Sequence, residues 1–252
     1  AMTTGECEEL GRLAEASGLT LMVGHTFLYN SAVRWLADHV RSGDLGDVLY
    51  AYSQRLNLGR LRRDVNVLWN LAPHDVAILL YVLGGEPEAV RAQGHGYVHP
   101  DVEDVAFLTM EFPGERLAHV QVSWLDPRKV RQVTVVGTEK MVIYDDVDVD
   151  ARIRVYDKGI DVVPNPEGAE GPAGRRHENL GEFQTLVRSG DLLIPKIEFE
   201  EPLAVQCREF VRAIAEERPP LTGADHAVQV VRVLEAASDS MLKGGERVIL
   251  AV

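Results

Sequence analysis

Apolar residues recur at helical spacing over residues 3–17, where Leu10, Leu13 and Ala14 line one side and Gly18 supplies a stop. The following run, LTLMVGHTF (19–27), is apolar enough to predict a fully buried strand. Residues 31–41 predict a second helix, with Val33, Leu36, Ala37 and Val40 inward, Ser31 as N-cap and Gly43 as stop. Residues 47–58 alternate with the period of a strand, placing Tyr50, Tyr52 and Gln54 on one face and Ala51, Ser53 and Arg55 on the other. Residues 67–83 return to helical spacing, with Leu68, Leu71, Ala72, Val76, Leu79 and Leu83 in a wide apolar stripe. Pro73 sits inside that stripe and either kinks one helix or begins a second.

From 87 to 158 the texture is that of closely spaced strands with short turns, predicting an antiparallel meander. Ala106, Leu108, Met110 and Phe112 share a face, as do Ala118, Val120, Val122 and Trp124. The opposite face mixes Thr109, Gln121, Ser123, Gln132 and Thr134 with Val105 and Phe107. It is too apolar for free solvation and too polar for a core, so it is expected to meet the same face of a second subunit, giving a homo-dimer or higher oligomer. Residues 159–178 are rich in Pro and Gly and predict a long loop; 183–197 carry a hairpin signal around Ser189-Gly190-Asp191. Two amphipathic helices, 202–217 and 224–243, and a short strand, 247–250, close the chain. The expected class is α+β: a mostly antiparallel open sheet backed by helices on one face, with an extra helix and strand at the front.

Composition narrows the partners. The 252 residues carry a net charge of −13, which argues against nucleic acid or an anionic membrane surface. No window reads as a membrane span, and the first residues lack the basic start and apolar core of a secretory signal, so a cytoplasmic location is expected. Two cysteines make neither a disulfide framework nor a four-ligand zinc site. His95 and His99 would stand about 13 Å apart on a strand, too far to share an ion, and Asp146, Asp148 and Asp150 lack the turn glycine and terminal glutamate of a calcium loop. Gly94-His95-Gly96 leads into strands and lacks the third glycine and helix of a dinucleotide fingerprint. No metal is expected.

The informative stretch is Asn66 to Asp75. At helical spacing Asn66, Asn70 and His74 stack along one edge of an apolar helix, and a polar seam there needs partners. Those partners are either neighbouring backbone or a ligand. A histidine near its ordinary pKa can take a proton from an alcohol at neutral pH. Were Pro73 the start of a helix, the helix dipole would further disfavour the imidazolium.

Four stretches resemble the Gfo/Idh/MocA family of NAD(P)-dependent oxidoreductases: GHTFLYNSAV (24–33), SGDLGDVLYAYSQRLNLGR (42–60), LWNLAPHDVAILLYVLGGEP (68–87), and EPLAVQCREFVRAI with RPPLTGADHAVQVVRVLEAA (201–237). The stretch around His74 is most similar to members that oxidise nucleotide sugars at C3. The resemblance implies a substrate-binding and oligomerisation domain over 28–252, and over 1–27 the last helix and strand of a truncated dinucleotide-binding domain. It implies NAD or NADP in the intact protein, with none expected on this chain alone, since the glycine-rich loop and the Glu-Lys-Pro motif are absent from it. It implies that His74 is the acid/base, and that Asn70, where many members have aspartate, orients a sugar or nucleotide-sugar substrate. Arg55, Asn66, Trp69, Tyr29, Asn30 and His177 are the other candidate substrate contacts, Tyr29 and Asn30 near the nicotinamide, with Arg176 beside His177. The alternative is a non-catalytic ligand-binding or dimerisation module of the same descent; a separate chain supplying the nucleotide-binding half is a third reading.

Overall fold

The computed structural model describes residues 1–164 and 183–250. Helix α1 (Thr4–Ala16) opens the chain, Thr3 capping it by accepting from the Glu6 amide. An extended stretch and a 3-10 turn (Thr26–Tyr29) lead into α2 (Ser31–Arg41). Strand β1 (Val48–Leu56) and helix α3 (Val67–Leu83) follow. Then come β2 (Ala89–His95), β3 (Val105–Phe112), β4 (Arg116–Ser123), β5 (Val130–Gly137), β6 (Met141–Asp145) and β7 (Ile153–Tyr156). The chain continues through β8 (Gly159–Pro164), β9 (Phe183–Arg188), β10 (Leu192–Leu193), α4 (Pro202–Ala215), α5 (Ala224–Leu242) and β11 (Val248–Ile249).

Nine strands form one open sheet in the order β10-β7-β6-β5-β1-β4-β3-β2-β11. Its pairs are antiparallel except β1 with β4, which run parallel at the centre. The expected α+β class is therefore observed. The meander is split by β1, which enters from earlier in the chain and separates β4 from β5. That insertion matters for function, because it brings the C-terminal end of β1 beneath α3.

The alternation along each strand sends Ala51 and Ser53, Leu108 and Met110, Val120 and Val122, and Val133 and Val135 to the face covered by helices. Helix α3 lies across β1, β3 and β4, with α2 on one flank and α5 on the other. It is consequently buried well beyond one stripe: Ala77, Ile78 and Val82 join Leu68, Ala72, Val76 and Leu79 in the core. Gly137 allows the turn from β5 to pass over Leu45, whose carbonyl oxygen would lie 2.2 Å from an added Cβ.

Four local expectations are corrected. Residues 19–25 are extended but form no strand, and Thr26–Tyr29 coil into a 3-10 turn. A strand requires a ladder partner, and the tie found here is to one residue, Thr222: its carbonyl accepts from the Val23 amide at 2.8 Å and its hydroxyl donates to the Val23 carbonyl at 2.7 Å. The cap of α2 is Asn30, whose side chain accepts from the Ala32 amide at 2.9 Å, rather than Ser31. Residues 183–197 do not fold back on themselves: β9 pairs with β8, and β10 with β7. The first part of the expected long loop is thus strand β8, and the remainder lies outside the described residues. Helix α1 packs along α5, with the Thr4 amide and hydroxyl both donating to Glu235 at 2.9 and 2.6 Å.

Leu79 reports on this core. Leu79→Ala should lower unfolding free energy by about 2–5 kcal/mol, read as an earlier denaturant midpoint at unchanged slope.

Candidate active site

Helix α3 is continuous through Pro73. The proline removes the amide that would have bonded the Trp69 carbonyl, without starting a new helix. The N-terminus is capped by Asn66, whose side-chain oxygen accepts from the Trp69 amide at 3.1 Å. His74 therefore sits in the second turn, beyond the first-turn dipole position considered above.

The next residue, Asp75, is a carboxylate in an otherwise apolar part of the helix. It meets Arg55, from β1, with Nε to Oδ2 at 2.5 Å and Nη2 to Oδ1 at 3.4 Å. Both residues are buried, Arg55 at 4% and Asp75 at 1% exposure. The Arg55 guanidinium also lies 4.5 Å from the centre of the Phe27 ring, whose other neighbour is the His74 imidazole, 5.2 Å between centroids. Phe27 comes from the 3-10 turn, so three segments far apart in sequence converge here.

The His74 ring is partly buried, and Nδ1 is enclosed with no hydrogen-bond partner among the described residues. Burial, then the positive charge of Arg55, pushes the imidazole down to about 4, with Arg131 adding to the effect and Asp75 opposing it. At neutral pH the ring is uncharged and free to accept a proton. Behind it, His25 packs edge-on to His226 at 5.1 Å. Burial, His226 and His74 together push His25 down to about 3. Neutral histidines here avoid placing several cations in one enclosed space.

On the far side, Asn30 donates from Nδ2 to the Tyr144 hydroxyl at 3.2 Å, and that hydroxyl donates to Asp146 at 2.9 Å. Burial, followed by the Asp146 carboxylate, holds the Tyr144 phenol well above its usual range. Tyr144 is thus a fixed hydrogen-bonding strut in its neutral form.

The sequence-derived candidates separate into two groups. His74 and Asn70 lie one turn apart on α3, and the Asn70 side-chain oxygen accepts from the Trp124 indole at 3.1 Å. The others are tied into the fold. Arg55, expected above as a substrate contact, is enclosed in a buried pairing with Asp75. Asn66 caps α3 and donates to Glu103 at 2.9 Å. Trp69, about 140° around the helix from His74, points to α5, its indole donating to Ser238 at 2.8 Å. Tyr29 is buried and shares a 2.9 Å hydrogen bond with Thr222, and Asn30 divides its amide between a helix cap and Tyr144. His177 and Arg176 lie outside the described residues. Residues not singled out from sequence are Phe27, Asp75, Tyr144 and His25. Asp75 carried a signal: a lone acid among leucines and valines demands a buried partner.

Residues 33–143 match the family model described as GFO/IDH/MocA C-terminal domain. Over this stretch the chain is similar to that domain. Among curated proteins, the chain is 26% identical over 220 residues to UDP-N-acetylglucosamine 3-dehydrogenase of Acidithiobacillus ferrooxidans, covering 86% of this chain and 61% of that protein. It is 23% identical over 171 residues to 2,7-anhydro-N-acetylneuraminate hydratase of Mediterraneibacter gnavus, covering 62% and 45%. Among solved structures, GenD2 from gentamicin A biosynthesis, in complex with NAD, shares the fold at a TM-score of 0.75 and 23% identity, over 100% of this chain and 70% of that one. The domain thus comes in a chain that spans between 36% and 61% of the length of the curated relatives it matches.

The buried pair makes a stability prediction. Asp75→Ala should cost about 3–5 kcal/mol, because it leaves the Arg55 charge buried and unpaired, while Asp75→Ala with Arg55→Met should recover part of that loss. Chemical denaturation of the wild type, the single variant and the double variant measures both effects.

Proposed function

We propose that this chain is the substrate-holding and acid–base part of an NAD(P)-dependent oxidoreductase that acts on a hydroxyl of a sugar or nucleotide sugar. The observation that carries the reading is His74, an imidazole kept neutral and partly open, beside Asn70 and above the buried Arg55–Asp75 pair. The relatives support it in kind: their names include a nucleotide-sugar dehydrogenase, and one solved neighbour holds NAD. On this reading residues 28–252 are the substrate-binding and oligomerisation unit and 1–27 belong with the nucleotide-binding side.

The described residues contain no glycine-rich turn before a helix that would cradle a pyrophosphate, so no residue here is assigned to hold the cofactor. When bound, the nicotinamide supplies the hydride acceptor. This chain's part is the proton. His74 accepts it from the substrate hydroxyl as the carbon–hydrogen bond breaks, and returns it in the reverse direction. Asn70 donates from its amide nitrogen to a neighbouring substrate oxygen; being an amide, it orients and does not relay charge. Burial and the Arg55 charge keep the imidazole in its basic form over the physiological range, and the exclusion of water on the Nδ1 side leaves Nε2 as the working nitrogen.

In the assembled enzyme, His74→Ala should lower kcat by about a hundredfold to ten-thousandfold, measured as nicotinamide reduction. The pH dependence carries a sign. Because folded His74 is pushed down to about 4, its base form persists as pH falls through 6.5 and is lost only near 4. A nuclear magnetic resonance titration of the His74 ring should give its midpoint there; a midpoint near 6.5 would overturn the burial argument, and full turnover in His74→Ala would sink the acid–base assignment.

The free face of the sheet supports self-association as a homo-dimer. Tyr50, Phe107 and Leu117 are 45%, 42% and 48% exposed on it, around a Gln54–Gln121 hydrogen bond of 2.9 Å. Apolar rings interspersed with paired amides suit a protein interface better than bulk water. Phe107→Glu should shift the chain to monomer in light scattering.

A further inference from the structure

In the register of β1 against β5, Arg131 stands directly opposite Arg55, and the two point to the same, helix-covered face. Like charges facing each other across strands repel. Each therefore needs compensation, and they receive it unequally. Arg55 is buried and engaged twice by Asp75. Arg131 is 37% exposed at its side chain, and among the described residues its acidic partner is Asp146, at 3.4 Å. The other oxygen of that carboxylate already accepts from the Tyr144 hydroxyl.

Arg131 is also continuous with the site. It adjoins Arg55, Arg55 lies against Phe27, and Phe27 lies against His74. Its charge adds a minor part to the lowering of that ring's proton affinity, after burial and Arg55. A protein with a net charge of −13 thus keeps a partly exposed guanidinium, held by a single long ion pair among the described residues, next to the Arg55 end of β1. A planar fork of this kind suits a carboxylate or phosphate, which it can grip through two parallel N–H donors.

We propose that Arg131 is an anion-binding residue that receives a phosphate or carboxylate group of the substrate beside His74. The proposal rests on the reading of His74 as the acid–base group and sharpens it, assigning the substrate to the anionic sugars. Arg131 takes the role that position 55 cannot fill, its guanidinium being enclosed with Asp75.

Calorimetric titration tests this with three probes on the whole chain: UDP for the phosphate source, N-acetylneuraminate for the carboxylate source, and N-acetylglucosamine as the neutral control. Arg131→Gln should weaken binding of one anionic probe by about tenfold to a hundredfold and leave the neutral sugar unchanged; the probe affected names the source. Arg131→Lys, which keeps the charge but not the fork, should fall between the two and covers the case in which the glutamine variant does not fold. Equal affinity of wild type and both variants for both anions, or an equal loss for the neutral sugar, overturns the anion site. Neither result touches the His74 assignment, which stands or falls on turnover of His74→Ala.

Discussion

The buried pair of Arg55 and Asp75 is the constraint on which the site depends. Two charges withdrawn from water cost several kcal/mol each unless they meet in good geometry. That requirement admits few placements of α3 over β1. A helix slipped by one residue would rotate Asp75 by about 100° and leave an unpaired charge in the core. The apolar faces alone are more permissive, since Ile78, Leu79 and Val82 would find hydrocarbon in several positions. The ion pair selects one of them, and by doing so it aims the preceding residue, His74, at the 3-10 turn that carries Phe27.

The same pair sets the electrostatics of its neighbour. An imidazole beside a guanidinium in a partly closed space prefers to be neutral, and the Asp75 charge is spent on Arg55 before it can favour the imidazolium. His25 and His226 share this condition for reasons of burial. The cluster is therefore uncharged at neutral pH, its imidazoles all holding protons more weakly than a free histidine does. The positive charge that remains accessible has moved one strand outward, to Arg131, where it meets solvent.

Most elements were legible from hydrophobic period alone, because α2, α5 and the strands from β1 to β7 each bury one face against a neighbour and α3 carries its wide stripe into the core. The failures have a common cause. Residues 19–27 carry a strand's composition, but pairing partners lie outside any local window. The run at 183–197 has the turn chemistry of a hairpin, yet its two halves find better partners in β8 and β7. At the site, His74 and Asn70 stood out as polar groups in an apolar helix. Arg55 stood out as a candidate substrate contact, but nothing within its own strand signals that Asp75, twenty residues on, lies against it.

By itself the sequence determined what alternation and spacing can encode: the class of fold, the face of each strand, and the placement of a histidine on an apolar helix. Tertiary structure decided everything that depends on which element lies beside which. Placing β1 between β4 and β5 set Arg55 opposite Arg131, and draping α3 across it gave one arginine a buried partner and left the other partly free. The reason is that side-chain period is a local property of the backbone, whereas the compensation of a charge depends on atoms that arrive from elsewhere in the chain.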